Sequence, residues 1–157
     1  MGRKVRRPDR RHNRPLSGGL TMSYVLPQKV LFRHCDPAGI VFYPRYFEMM
    51  NDCVEAFFEE ALNLPFADIH THGAVPTVAL SIQFKAVSRL GDQLAIHLKC
   101  VKLGRSSLSL ETNALCGEEL RFTATSTLVF VDTQGKPTPW PATARRKLEL
   151  FVKESSL

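Results

Sequence analysis

Residues 44–62 read PRYFEMMNDCVEAFFEEAL, and this stretch decides the fold. Its apolar residues Phe47, Met50, Val54, Phe57, Phe58, Ala61 and Leu62 recur at spacings of three and four. That spacing makes one buried stripe on a helix. Pro44 suits the first helical position, where its missing N–H is not needed. Acids and Asn51 occupy the opposite side, yet Tyr46 and Met49 make much of the remaining surface apolar as well. A helix this apolar is expected to be wrapped by a sheet rather than laid on a surface. Asn63-Leu64-Pro65 ends it.

Working outward, the period changes. Before the helix, Val25 to His34 reads as a first strand. After it, residues 66–72 read as a short helical turn. Val78, Leu80, Ile82 and Phe84 then alternate with small or polar residues, at the period of a strand. Leu94, Ile96, Leu98 and Cys100 alternate after the Gly91-Asp92 turn, and Leu108 and Leu110 continue after Gly104. Phe122 to Asp132 reads as a fourth long strand, closed by the turn at residues 133–136. Pro137 to Pro141 is a rigid connector, and Ala142 to Val152 a last amphipathic helix. No internal repeat is present. One early helix and strands joined by short turns specify an α+β domain with an antiparallel sheet. A sheet long enough to curl around one long central helix is the hot-dog architecture.

The 157 residues suit one domain, taken as 22–157 behind a basic tail of residues 1–21. Seven of the 21 Lys and Arg and one of the 15 acids fall in that tail, which leaves 14 of each in the body. The whole +6 excess therefore sits in the tail, and the charge says nothing about the domain's ligand. The tail has too little apolar surface to fold alone. It reads as an arm for nucleic acid or an anionic surface, or as an upstream extension of a chain that starts at Met22. No apolar segment follows its charges, so it is no secretory signal. The neutral body predicts no nucleic-acid binding by the domain itself. No run approaches the length of a membrane span. Cys35, Cys53, Cys100 and Cys116 form no C-x-x-C pair and suit reduced thiols in a cytoplasmic protein.

The chemistry concentrates in residues 34–44, His34-Cys35-Asp36-Pro37-Ala38-Gly39-Ile40-Val41-Phe42-Tyr43-Pro44. A carboxylate sits in a glycine-bearing loop eight residues before a helix-opening proline. The helix start offers unpaired N–H groups and the positive end of a dipole, which suit a developing oxyanion. Thioester cleavage needs little more, because a thiolate leaves readily.

The segment Asp36-Pro37-Ala38-Gly39-Ile40-Val41-x-Tyr43-Pro44-x-Tyr46 resembles the signature of the 4-hydroxybenzoyl-CoA thioesterase family. Acyl-CoA thioesterases of the Tol-Pal-associated type carry a looser version. The likeness runs from about Val25 to Val131. It implies hydrolysis of an acyl-CoA without metal or redox cofactor, at sites formed between the protomers of a homodimer or homotetramer. It implies that Asp36 is the nucleophile or the general base. The Tyr43 N–H would polarise the thioester oxygen, and Gly39 would supply a loop shape that a Cβ resists.

A second stretch, Lys102-Leu103-Gly104-Arg105-Ser106-Ser107, lies between two strands. By the same resemblance Arg105, Ser106 and Ser107 are candidates for the phosphates of CoA, although the family's turn is richer in basic residues. Where the 4-hydroxybenzoyl enzyme has a helix aspartate facing its substrate's ring hydroxyl, counting from the signature gives Asn51. Asn still hydrogen-bonds, so a polar aryl group fits, but 4-hydroxybenzoate itself does not follow. His70 and His72 lack a third ligand, so no metal site is expected. His34 and Cys35, read as neighbours on a strand, point to opposite faces and cannot share a substrate. Trp140 reads as packing.

Overall fold

The computed structural model describes residues 23–155; the basic tail and Met22 lie outside them. Strands β1 (Tyr24–Lys29), β3 (Thr77–Phe84), β4 (Gln93–Leu103), β5 (Ser107–Cys116) and β6 (Glu119–Val129) form one antiparallel sheet, in the order β1-β4-β5-β6-β3. Helix α1 (Pro44–Ala56) packs against its inner face. It continues as a π-turn over Phe57–Ala61, where the Leu62 amide reaches back to the Phe57 carbonyl at 3.2 Å. Asn63 then takes a positive φ of 52° and breaks the helix. Helix α2 (Phe66–Ile69), the two-residue ladder of β2 (Gly73–Ala74) with β7 (Val131–Asp132), and helix α3 (Ala142–Ser155) complete the chain.

The alternating pattern becomes a ladder of side chains under the helix. Leu26 stands opposite Ile96, Ile96 opposite Ala114, Ala114 opposite Phe122 and Phe122 opposite Phe84. Tyr46 lands on the far end of that line, its ring 5.1 Å from Phe122 and 5.7 Å from Phe84. The core is continuous under β4, β5 and β6 and ends at β3. On β3, Val78 is 60% exposed and Leu80 is exposed, and Phe84 stays half-exposed although the Tyr43 and Tyr46 rings pack on it. The apolar alternation read for this strand is therefore real, but its face is open.

Two strand boundaries differ from the sequence reading. The first strand stops at Lys29 rather than His34, because Phe32–His34 winds into a 3-10 turn. Its fastening is a side chain: the Leu31 amide donates to His34 Nδ1 at 2.9 Å. The last long strand breaks at Phe130, whose amide turns to the Ser106 carbonyl. Val131 and Asp132 then pair with Ala74 and Gly73. A Cβ at Gly73 would collide with the Val131 carbonyl, so that close approach requires glycine.

Trp140 is buried, stacked on Phe130 with centroids 5.4 Å apart. All four cysteines are free, and burial pushes the Cys53 and Cys100 thiols up to about 12, far from a reactive thiolate. Among the described residues no helix is long and apolar enough to cross a membrane.

Candidate active site

Residues 35–43 fold into a small hairpin that returns the chain to its own start. Cys35 pairs with Val41. The Asp36 amide donates to the Ile40 carbonyl and the Gly39 amide to the Asp36 carbonyl, both at 2.9 Å. Gly39 carries the turn at φ +76°, the left-handed region where its missing Cβ matters. One carboxylate oxygen of Asp36, Oδ1, accepts the Ala38 amide at 2.8 Å, as an Asx turn does. The half-buried Asp36 forms no ion pair with any described residue. Its carboxylate is thus oriented but not consumed.

The helix start is equally specific. Pro44 has no N–H. The amides of Arg45 and Tyr46 are spent on the carbonyls of Phe42 (2.9 Å) and Tyr43 (3.1 Å). The Phe42 amide goes to the His34 carbonyl at 2.9 Å. The amide that remains is that of Tyr43, which donates to no described residue. The hairpin therefore presents one free N–H at the positive end of α1 and, a few residues earlier, one carboxylate. Asp36, Gly39 and Tyr43 share this one tied loop.

Beside the Tyr43 ring lies a cleft of about 260 Å³, lined by Val41, Tyr43, Tyr46, Phe84, Lys85, Ala86 and Val87. Asp36 lies outside this lining. Two fastenings hold the loop from below. The Val41 amide donates to the Ser88 carbonyl at 2.8 Å, and the buried Tyr46 hydroxyl donates to Ser88 Oγ at 2.9 Å. Residues 87–92 are in turn pinned by Arg121, whose Nη1 reaches the Val87 carbonyl at 2.6 Å and Asp92 Oδ2 at 2.8 Å. Hydrogen bonds from the Arg89 amide and from Arg121 hold the Asp92 carboxyl below its ordinary value. No spacing in the sequence links Tyr46 to Ser88 or Asp92 to Arg121, so this support was not legible there.

His34 is buried, and its ring turns toward Leu31 rather than Asp36. Cys35 Sγ also faces back to the Leu31 carbonyl, at 3.7 Å. The two do not diverge as strand neighbours would, because residue 34 ends a 3-10 turn. Both serve the loop's entry. Burial, reinforced by Arg33, lowers the His34 pKa, as its Nδ1 acceptor role requires.

The other candidates lie elsewhere. Asn51 is exposed on α1, about 12 Å along the helix axis from Tyr43. Arg105, Ser106 and Ser107 sit at the C-terminal end of β4, whereas the Asp36 loop adjoins its N-terminal end. The 11 residues of β4 put about 33 Å between them. Within one chain these groups do not meet. The turn itself is fixed by the C-terminal segment. The Trp140 amide and Nε1 donate to the carbonyls of Arg105 (3.1 Å) and Ser107 (3.2 Å), and Arg145 Nη2 donates to that of Gly104 (2.8 Å). Arg105 is left exposed without an ion pair to any described residue. His70 lies in the turn after α2, its Nδ1 on the Phe66 carbonyl at 2.6 Å.

An antiparallel five-stranded sheet wrapped on one long helix, with a carboxylate loop at the helix start, defines a hot-dog protein of the thioesterase kind. The thioesterase-like superfamily matches residues 30–148, and the chain belongs to that superfamily. A solved gentisyl-coenzyme A thioesterase is 27% identical over 80% of this chain and 99% of its own, with a TM-score of 0.73. The 1,4-dihydroxy-2-naphthoyl-CoA thioesterase of Synechocystis is 20% identical over 81% and 96%, with a TM-score of 0.75. A Thermus thermophilus thioesterase solved with coenzyme A and zinc is 23% identical over 82% and 93%, with a TM-score of 0.72. No curated protein matches the chain by sequence.

Proposed function

We propose that the protein hydrolyses an acyl-CoA thioester, with Asp36 as nucleophile or general base. The observation that carries this reading is the pairing, on one tied hairpin, of an uncommitted carboxylate with the single free amide of the α1 start. The Tyr43 N–H would take the charge that builds on the thioester oxygen, where one such donor is worth about 10²–10³ in rate. Asp36 would either attack the acyl carbon, giving a mixed anhydride that water opens, or draw the proton from an attacking water. In both routes the C–S bond breaks, one water is consumed to leave the free acid and the regenerated Asp36 carboxylate, and the thiolate of CoA takes up a proton. The scheme calls only for water and the protein's own groups. The likeness to a gentisyl-CoA hydrolase at 27% identity favours an aromatic acyl group, with short and medium chains also to be tried.

The placement of Arg105, Ser106 and Ser107 adds a requirement. They lie near the N-terminal end of β3, and the catalytic loop lies near its C-terminal end, where Phe84 meets Tyr43 at 6.2 Å. If two copies pair their β3 edges antiparallel, the ends interchange. Each catalytic loop then lies at the same end as the neighbour's phosphate turn. The open face of Val78, Leu80 and Phe84 supports such pairing, because a second copy would cover it. The working unit is thus a homodimer or a tetramer built from it.

A thiol-release assay over aromatic, short and medium acyl-CoA esters tests the reading. Wild type should release CoA. Asp36→Asn should lose on the order of 10³-fold or more in kcat while keeping its fold and its affinity for CoA. Full activity in purified Asp36→Asn refutes the assignment. Binding without release in wild type refutes the hydrolase.

A further inference from the structure

Behind the turn at Arg105 the protein carries a cavity that the Asp36 site does not use. It holds about 170 Å³. Its floor is buried and apolar, formed by Phe58, Phe130, Trp140 and Ala144. The Trp140 ring lies 5.4 Å from Phe130 and 6.3 Å from Phe58, centroid to centroid. Half-buried Leu64 and Ile69 form the walls, and exposed Asp68, His72 and Thr143 the rim. Phe58 belongs to the π-turn at the end of α1, a rare geometry that recurs at functional positions. The cavity shares no lining residue with the cleft beside Tyr43. Phe58 stands roughly 22 Å along the helix from Tyr43.

The cavity is joined to the Arg105 turn through its own floor. The Trp140 amide donates to the Arg105 carbonyl at 3.1 Å, and its indole N–H to the Ser107 carbonyl at 3.2 Å. The Phe130 amide donates to the Ser106 carbonyl at 2.7 Å. Three consecutive carbonyls of the turn are thus held by two residues whose rings line the cavity. A group packed against those rings holds the two residues, and with them the turn.

We propose that this cavity is a regulatory site for an uncharged single-ring aromatic compound of phenol size, which steadies the Arg105 turn and tightens its hold on the phosphates of CoA. The site stands on its own geometry. Its effect on CoA rests on the thioester-hydrolase reading above and on the role given there to Arg105, Ser106 and Ser107. Size limits the ligand to one ring, since an apolar cavity of about 150 Å³ takes up benzene. The floor offers no partner for a charge, because Trp140 Nε1 is already bonded to Ser107. At the rim a single hydroxyl finds hydrogen-bonding groups on Asp68, His72 and Thr143. Asp68 forms no ion pair with any described residue, so a carboxylate in place of that hydroxyl would set two anions side by side. On α3, Arg145 and Lys147 are engaged by the carbonyls of Gly104 and Leu62. A ring in the cavity orders Trp140 and Phe130 before CoA arrives, which lowers the entropy lost when the turn closes on the phosphates.

Trp140 is the chain's single tryptophan, so its fluorescence reports on the cavity. Phenol titrated into the full-length protein, with excitation at the red edge of indole absorption, should change that emission saturably. Benzoate at the same concentrations should not. Ala144→Leu fills the floor and should abolish the change; Ile69→Phe narrows a half-buried wall and takes its place if Ala144→Leu does not fold. In thiol release, saturating phenol should lower KM for a CoA ester about fivefold, the low end of coupling between sites, with kcat unchanged. KM for the pantetheine ester of the same acyl group, which lacks the nucleotide's phosphates, should hold. The filled variant should keep its activity and lose the response to phenol. No saturable change in wild type, or an equal change in the filled variant, overturns the site. Equal binding of benzoate overturns the ligand class. Binding that leaves KM for the CoA ester unchanged overturns the regulation. So does displacement of phenol by the pantetheine ester, which would make the cavity part of the acyl site. Should wild type release no thiol from either ester, the hydrolase reading fails, and the fluorescence titration decides the cavity separately.

Discussion

The two edges of the sheet end near the same loop, yet they are built differently. Edge strand β1 has six residues, carries Pro27 within it and a lysine at its end, and buries Tyr24 against Phe57 at 5.8 Å. A proline and a terminal cation on a short strand are what keep an edge from recruiting another chain. Edge strand β3 has eight residues, no proline and no charge, and its inner row is open at Val78, Leu80 and Phe84. One edge is closed and the other is left to be covered. The Asp36 hairpin hangs between them, tied on the β1 side through His34 and on the β3 side through Ser88.

The largest expected effect follows from that asymmetry. Leu80→Lys puts a charge on the open row of β3, and Val25→Lys puts one on the outer face of β1. In sedimentation, the β3 variant should fall to a monomer and, if the proposed pairing completes the site, lose roughly 100-fold in thioesterase activity, since about 33 Å then separates Asp36 from the turn at Arg105 in its own chain. The β1 variant should keep both assembly and rate. Matching circular dichroism spectra would exclude unfolding. A monomer of undiminished activity would show that β3 pairing does not complete the site.

Much of this was legible in the sequence, and what was not has a common cause. The stripe along residues 44–62 and the period of two that follows it are local signals, and local backbone geometry answers to them. So did the loop, because residues 36–44 lie within nine positions of one another. The exposure of β3 was not legible: Val78, Leu80, Ile82 and Phe84 alternate as those of any half-buried strand do, and only strand order shows that β3 is an edge. The boundary at His34 was missed because a side chain, not a propensity, ends the strand. The separation of Arg105 from Asp36 needed the direction of β4. Spacing along the chain says what a segment can do, and topology says what it does it with.

A smaller effect is expected at the β3-side tie. Tyr46→Phe removes one hydroxyl from a pair buried at 2.9 Å and leaves Ser88 Oγ without that partner. The cost in stability is about 1–3 kcal/mol. If the bond also holds the helix start in register, kcat should fall several-fold while KM for the acyl-CoA moves little. Ser88→Ala in the Tyr46→Phe background should add almost nothing, since both substitutions break the same link. Independent, additive losses would mean that the two residues support the site separately.

The smallest effect concerns the β1-side tie and pH. His34 Nδ1 accepts a hydrogen bond, so the folded state needs the neutral ring. Burial lowers its pKa from 6.5, with Arg33 and Arg45 acting the same way and Glu48 and Asp52 opposing them. The unfolded chain therefore binds this proton at a higher pH than the folded one. The stabilisation is complete above about 6.5 and is lost progressively as the pH falls below that value toward the lowered folded pKa. Melting temperature should thus decline between pH 7 and pH 5 in wild type. His34→Asn sets an amide oxygen near the place of Nδ1 and does not titrate, so its decline over the same interval should be shallower. Parallel declines in wild type and His34→Asn would place the sensitive proton elsewhere and leave the two ties equivalent.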